Sequence, residues 1–517
     1  MKLRTIRGIL SNWLSLALTY VVGFLLAPFV VHHLGSVAYG VWTIVLSLTS
    51  YMSLLDLGLR SAVVRFVSRD HALREHRRAS ETLSATFWLR LWIALLIVFF
   101  SLSISAFLLR FFHLPAEMQN EARVAVVLTG LSLAITLLAG VFGGVLTALH
   151  RFDLLSLVSV GQAILRASGF VWLLKTGHHI PALAAWELLC SLAGGVALWR
   201  FARWSYPELH ISFTQPRRET IKNIWSYSSY VFLMHIFGQV IYYTDNLVVG
   251  AFVSVSAVTF YAIGGSLSEY LRQIVASMTS TFMPLAGRFE ATGERDSLRK
   301  LLSYGTRTAL VVALPIAMTL FFRGQTFIQV WVGEQFAPVS GRVLQILLLS
   351  QIFAIANSAS INIALGLGQH RRCAFWAAGE AVANLSLSIL LIRWVGIYGV
   401  AIGTVIPNLV INVFLWPPFI CRLLGAPVFR HLFQNWVKPI LFSVPYGFLC
   451  FWTDRHWTVR GVFPFFLQIG AILPIYLIFV VIGFHREIRE LIRLRKLPAV
   501  AVDSKVGLSS AETGTGG

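Results

Sequence analysis

The chain is poor in charge. Of its 517 residues only 12% are Asp, Glu, Lys or Arg, about half the roughly 25% of an ordinary soluble domain. Hydrophobic residues make up 57%, so nothing is left over for a large aqueous domain, and the chain reads as a polytopic membrane protein. Acidic residues are scarcest, 22 against 42 basic ones, for a net charge of +20. In a soluble chain that excess would suggest nucleic acid. Here basic loops held on one side of a membrane explain it, and no nucleic-acid partner is expected. There are four cysteines, Cys190, Cys373, Cys421 and Cys450, all in or beside apolar stretches. They have no metal-ligand spacing and give no reason to expect a disulfide. GxxxxGK[ST], HExxH, GxSxG and CxxC are all absent. The loops on the less basic side are no longer than about 15 residues, too short to carry a catalytic centre. No enzyme, and no metal or other cofactor, is expected.

What is present is a succession of long apolar runs. MKLRTIRGIL begins like a signal peptide, but the apolar stretch from Ile9 to Val31 is too long for one and reads as a retained first span. Fourteen spans are expected, at 9–31, 39–59, 83–109, 122–149, 152–174, 181–202, 224–250, 257–284, 301–322, 338–364, 373–392, 396–420, 434–452 and 461–483. Most are long enough to cross about 30 Å of hydrocarbon at 1.5 Å per residue. With the N-terminus inside, the inside segments hold 29 Lys and Arg, the outside loops six, and the remaining seven lie within the spans. That asymmetry predicts both termini in the cytoplasm.

The chain also carries a faint repeat. Shifted by about 219 residues, Ala38, Trp42, Ile44, Ser47, Leu48 and Tyr51 fall on Ala257, Tyr261, Ile263, Ser266, Leu267 and Tyr270. Leu146 falls on Leu365, and His150-Arg151 lies within a residue of His370-Arg371. Spans 1–6 thereby map onto spans 7–12 in the same sense, as two parallel repeats about an axis along the membrane normal. The expected fold is all-α, with two six-helix lobes around a central cavity. Residues 1–223 form one lobe and 224–433 the other. Two helices are appended at 434–485, and the tail at 486–517 ends in a Gly-, Ser- and Thr-rich stretch with the composition of disorder.

Charges inside hydrocarbon are costly and become functional candidates. The most central are Arg166 in the fifth span and Glu269 and Arg272 in the eighth. Asp245 and Arg90 lie nearer span ends, and Glu187 and Glu380 about two turns inside theirs. Each has a bland alternative. Glu269 and Arg272, three residues apart, can neutralise each other. Arg90 can snorkel to the headgroups, and Asp245 can bond to neighbouring helices. Arg166 has no acidic residue within four positions along its helix, which makes it the foremost candidate. An anionic substrate head favours Arg, whose planar fork pairs with phosphate oxygens.

Several strings resemble a known family: LGSVAYGVW (34–42), DLGLRSAVVRF (56–66), ALHRFDLLSLVSV (148–160), YYTDNLVVGAF (242–252) and IYGVAIGTVI (397–406). They are similar to the polysaccharide-transport branch of the superfamily that also contains multidrug and toxin extruders and the lipid II flippase. The resemblance spans roughly 1–485, and implies a Wzx-type flippase of the bacterial cytoplasmic membrane. Such a protein moves polyprenyl-pyrophosphate-linked oligosaccharide between leaflets by alternating access, in cell-surface polysaccharide biosynthesis. Implied partners are that glycan lipid, the bilayer and other polysaccharide-assembly membrane proteins. A coupling ion, H+ or Na+, is left open. The resemblance makes Arg166, Arg272, Asp245, Glu269 and Arg90 candidate substrate-binding residues of the cavity. The alternative of the same fold is a cation-coupled multidrug-type antiporter. A glycan-joining membrane enzyme would need a large outside loop, which is missing.

Overall fold

A computed structural model describes residues 2–56, 59–211, 236–241 and 243–495, and among these there is no strand. The helices are α1 (Lys2–Met52), α2 (Leu59–Ala72), α3 (His76–Phe111), α4 (Ala116–Ala148), α5 (Phe152–Lys175) and α6 (Ile180–Ser205). The described part of α7 is 236–241 and 243–252. There follow α8 (Val255–Thr279), α9 (Phe282–Ala291), α10 (Arg295–Trp331), α11 (Ala337–Gly366), α12 (His370–Val395), α13 (Ile397–Leu409) and α14 (Trp416–Leu424). The chain ends in α15 (Val428–Leu432), α16 (Lys438–His456) and α17 (Val462–Arg495). Ten segments among the described residues are long and apolar enough to cross a membrane. The first of them, Ala17–Asp56, covers most of two expected spans. The connection expected at 32–38 is only a kink at Gly35, whose φ of 75° a side chain would strain. At the expected eighth and thirteenth spans stand α8 and α16, helical but less apolar. The first part of the expected seventh span, and the end of the tail, lie outside the described residues.

Three local features differ from expectation. The basic stretch after the second span is not a loop throughout, because α2 buries Val63 and Val67 against Leu83, Val141 and Val145 while Arg65 and Arg69 stay exposed. In the ninth span, expected to end at 322, the helix runs on to Trp331 and carries Arg323 into the interior. The continuous run from 396 to 420 is interrupted by a π-helical turn, Val410–Leu415, between Pro407 and Pro417.

Between helices in lipid, association rests on close packing rather than on release of water, so small residues mark the contacts. A Cβ on Gly130 of α4 would lie 2.5 Å from Ser101 of α3, and one on Gly264 of α8 would lie 2.6 Å from the Ser340 carbonyl of α11. Large apolar side chains instead face outward, Trp92, Phe99, Trp394 and Phe463 among them, as a lipid-facing surface requires.

Contacts between the two halves of the chain are exchanged. The Thr259 hydroxyl donates to the Ser36 carbonyl at 2.5 Å, and a Cβ on Gly40 would lie 2.0 Å from the Val255 carbonyl. At the 219-residue offset, 36 corresponds to 255 and 40 to 259, so each residue meets the counterpart of the other. Farther along, Tyr51 meets Thr244, while Tyr270, the counterpart of Tyr51, lies edge-on to Phe24, one residue from the counterpart of Thr244, with ring centroids 6.2 Å apart. Ile44 approaches Gly250, and their counterparts Ile263 and Val31 share one core cluster. Such reciprocity is what a two-fold relation produces.

Candidate functional site

Between the second half of α1 and helices α7, α8, α11 and α13 lies a cavity of about 350 Å³. It is continuous in its lining with a second chamber of about 220 Å³, the two sharing Ile241, Arg272, Ala354 and Asn408. The α1–α8 contact at Gly40 and Val255 lies toward the end where Gly35 and Ser254 turn the chain. The second chamber, with Thr279, Asn362 and Trp416, extends toward the opposite end, where the exposed arginines of α2 also stand.

Three of the charges singled out in the sequence meet in this cavity: Asp245, Glu269 and Arg272. Glu269 and Arg272 form a two-pronged ion pair one helical turn apart. Arg272 Nε donates to Glu269 Oε2 at 2.7 Å, and Nη2 donates to Oε1. Gln273 Nε2 also donates to Oε1, at 2.6 Å. Both charged side chains remain about a third accessible, 31% and 30%, so the pair lines the space rather than filling a core position.

Asp245 is buried in the wall. Its Oδ2 accepts from the Tyr261 hydroxyl at 2.5 Å and from the Thr404 hydroxyl at 2.8 Å, while Oδ1 has no hydrogen-bond partner among the described residues. Asn384 donates to Thr404 at 3.1 Å and leaves its own Oδ1 unpaired. A buried carboxylate with one open oxygen has room to accept a proton or a small cation. Glu380 faces the second chamber and accepts from Asn408 at 2.7 Å.

Arg166 and Arg90 do not line these two chambers. Arg166 pairs with Glu187 of α6 at 2.5 Å, a partner on a neighbouring helix that spacing along α5 cannot reveal. Arg90 does not snorkel: its guanidinium is buried, bonded to the Leu137 carbonyl at 2.5 Å and to Asp56. It fastens α3 to α4 and to the end of the first apolar segment. Sequence reasoning passed over the neutral groups. Asn357, Asn408 and Asn412 carry polarity through the C-terminal helices, with Asn357 donating to the Asn412 carbonyl at 2.6 Å and Asn412 to that of Asn408 at 2.9 Å. Their i,i+4 spacing at 408 and 412, inside an apolar run, was the available signal.

On the other side of α8 lies an apolar groove of about 550 Å³, walled by α1, α8, α10, α16 and α17. Glu269 and Arg272 face the polar cavity, while Leu267, Tyr270, Leu271 and Ile274 of the same helix face the groove.

Residues 33–341 match the model of a family described as "Polysaccharide biosynthesis protein". The "Putative O-antigen transporter" of Shigella flexneri is 20% identical, over 72% of this chain and 88% of that one. Among solved structures, a multidrug resistance MATE family transporter of the MOP superfamily, inward-facing, superposes with a TM-score of 0.71 at 15% identity, covering 80% of this chain and 99% of the other. The lipid II flippase MurJ in an inward closed conformation superposes at 0.68 and 17% identity, covering 94% and 100%. At such identities both show a shared polytopic transporter fold.

Proposed function

The chain belongs to the polysaccharide biosynthesis protein family, and from that premise we propose that it is a flippase for polyprenyl-pyrophosphate-linked oligosaccharide. The observation that carries this reading is the division of space by α8: a polar cavity with a cation on one side, and an apolar groove on the other. A substrate with a sugar-pyrophosphate head and a long isoprenoid tail needs both at once. The head enters the polar cavity while the tail stays in the groove, open to lipid. The names of the O-antigen transporter and the lipid II flippase support the same substrate class.

Fourteen spans in two six-helix lobes, with two appended helices and both termini cytoplasmic, complete the proposal. The exchanged contacts at Ser36, Gly40, Val255 and Thr259 support the two-fold relation of the lobes. Those contacts form the closed end of an alternating-access cycle. Rocking the lobes separates them, opening that end and closing the basic one. When a pyrophosphate arrives, Arg272 can turn its fork to phosphate oxygens, and Gln273 keeps a donor on the Glu269 carboxylate. Asp245, with its open oxygen, is the group through which a proton or sodium ion would bias the cycle. Binding there changes the charge of a buried carboxylate at the lobe interface, and so the relative stability of the two states.

The antiporter reading rests on the same acid. The two are separated by cargo. Reconstituted protein should carry a fluorescent polyprenyl-pyrophosphate oligosaccharide across vesicles and leave a lipophilic dye cation on its side. Transport of the dye alone would replace the proposal with the antiporter.

A further inference from the structure

Outside the central cavity, on the lipid-facing surface of the C-terminal half, α12 and α14 enclose a groove of about 610 Å³. Its polar groups are layered. α12 starts at the basic end and α14 finishes there, so Arg372 and Arg422 stand at the same level. One turn deeper come Trp376 from α12 and Pro418 and Phe419 from α14. Deeper still are Phe414 and Leu415, turned outward by the π-helical segment, with Phe414 68% exposed. Arg372 lies over the Phe419 ring at 4.9 Å, and neither arginine meets a carboxylate among the described residues.

The pseudo-equivalent corner of the N-terminal half is built differently. There the offset sets Arg203 on Arg422, but Asp153 is present and pairs with Arg151 at 3.1 Å, while Arg151 covers Trp204 at 5.2 Å. Basic loops alone would treat the two corners alike. The C-terminal one keeps two unneutralised forks above an aromatic and then an aliphatic floor, which is the profile of a phosphate head above acyl chains.

We propose that this groove is a binding site for an anionic phospholipid of the adjacent leaflet, its phosphate held between Arg372 and Arg422 and its chains lying along Trp376, Phe414 and Leu415. Basic pockets between membrane helices hold anionic headgroups in this way, and planar guanidinium forks match phosphate oxygens in pairs. The site is separate from the transported lipid. Trp376 and Trp416, edge-on at 4.9 Å, stand between the groove and the second chamber.

The test is native mass spectrometry of the full chain released from micelles doped with phosphatidylglycerol or with phosphatidylcholine of the same chains. Wild-type protein should retain one phosphatidylglycerol in preference to phosphatidylcholine. The double change Arg372→Gln with Arg422→Gln should weaken that preference about twenty-five-fold, since each cation near an anionic surface is worth a factor of about five. Arg203→Gln should leave it intact, and the Arg372→Lys, Arg422→Lys pair should keep part of it. Millimolar inorganic phosphate should not displace the lipid. All variants should elute as monodisperse protein, because both arginines are exposed. Equal retention of the two lipids by wild type, persistence of the preference in the double glutamine variant, loss of it in Arg203→Gln, or displacement by free phosphate would each overturn the proposal.

Discussion

Glu269 and Arg272 form an ion pair that faces a cavity, and with both side chains about a third accessible the pair stays open to a ligand. Removing Arg272 alone strands a carboxylate, so loss of function in that variant is ambiguous. Changing both to Gln keeps the volume and removes the charges together. We expect Glu269→Gln with Arg272→Gln to insert and fold normally, and to lower flipping of the glycan lipid at least about tenfold, the worth of one or two charge-assisted hydrogen bonds. Arg166 behaves differently under the same logic. Its pairing with Glu187 predicts that Arg166→Gln lowers yield from membranes, and that adding Glu187→Gln restores it. If the double variant folds but no longer flips, Arg166 has a part in transport as well. The sequence made these charges visible but not their company. Hydropathy marks an arginine in a span, whereas its partner on another helix depends on packing that no local pattern encodes. For the same reason Arg166 stood out in the sequence above Arg272, which the structure places in the cavity.

At the scale of helices, most spans were legible because 20 apolar residues between basic loops have few alternatives. The misreadings have local causes. The expected ninth span stops at 322, where a charge follows an apolar run. In fact α10 continues, and Arg323 is buried against Gln468 of α17 at 2.7 Å, with Asp454 of α16 at 3.6 Å and its guanidinium over the Phe465 ring at 4.9 Å. It fastens the last two long helices to the rest, and with them one wall of the apolar groove. Arg323→Leu should therefore cost about 1.5–3 kcal/mol, the worth of a hydrogen bond to a charged group. Thermal unfolding in detergent would register this as a lowered midpoint, and an unchanged midpoint would refute the anchoring role. The π-helical turn at 410–415 was illegible, since one extra residue per turn leaves an apolar run looking the same. Two prolines flanking it were the sole hint.

At the scale of the whole molecule, the contacts of Ser36 with Thr259 and of Gly40 with Val255 pair positions that the 219-residue offset relates. If both termini are cytoplasmic, cysteine placed at exposed Ser254 should react with an impermeant thiol reagent from outside intact cells. Cysteine at Ser297 should react only after permeabilisation. The native cysteines, all buried, give little background. The reverse pattern would invert the protein in the membrane. The closed end can be tested through Ser36 and Thr259, whose backbone and side chain touch. A short bifunctional thiol reagent across cysteines at these positions should hold the lobes together and stop transport until it is cleaved. Continued transport with the link in place would contradict opening of the lobes at this contact.

The central claim, that α8 divides a head site from a tail site for one lipid-linked glycan, is tested most directly by flipping in proteoliposomes. The assay follows a fluorescent polyprenyl-pyrophosphate oligosaccharide, and compares wild type with two variants on opposite faces of α8. Glu269→Gln with Arg272→Gln alters the polar face, and Tyr270→Asp with Ile274→Asp places charge in the groove. The account predicts flipping by wild type and its loss in both variants, with each protein still folded. Undiminished flipping by either folded variant would contradict it.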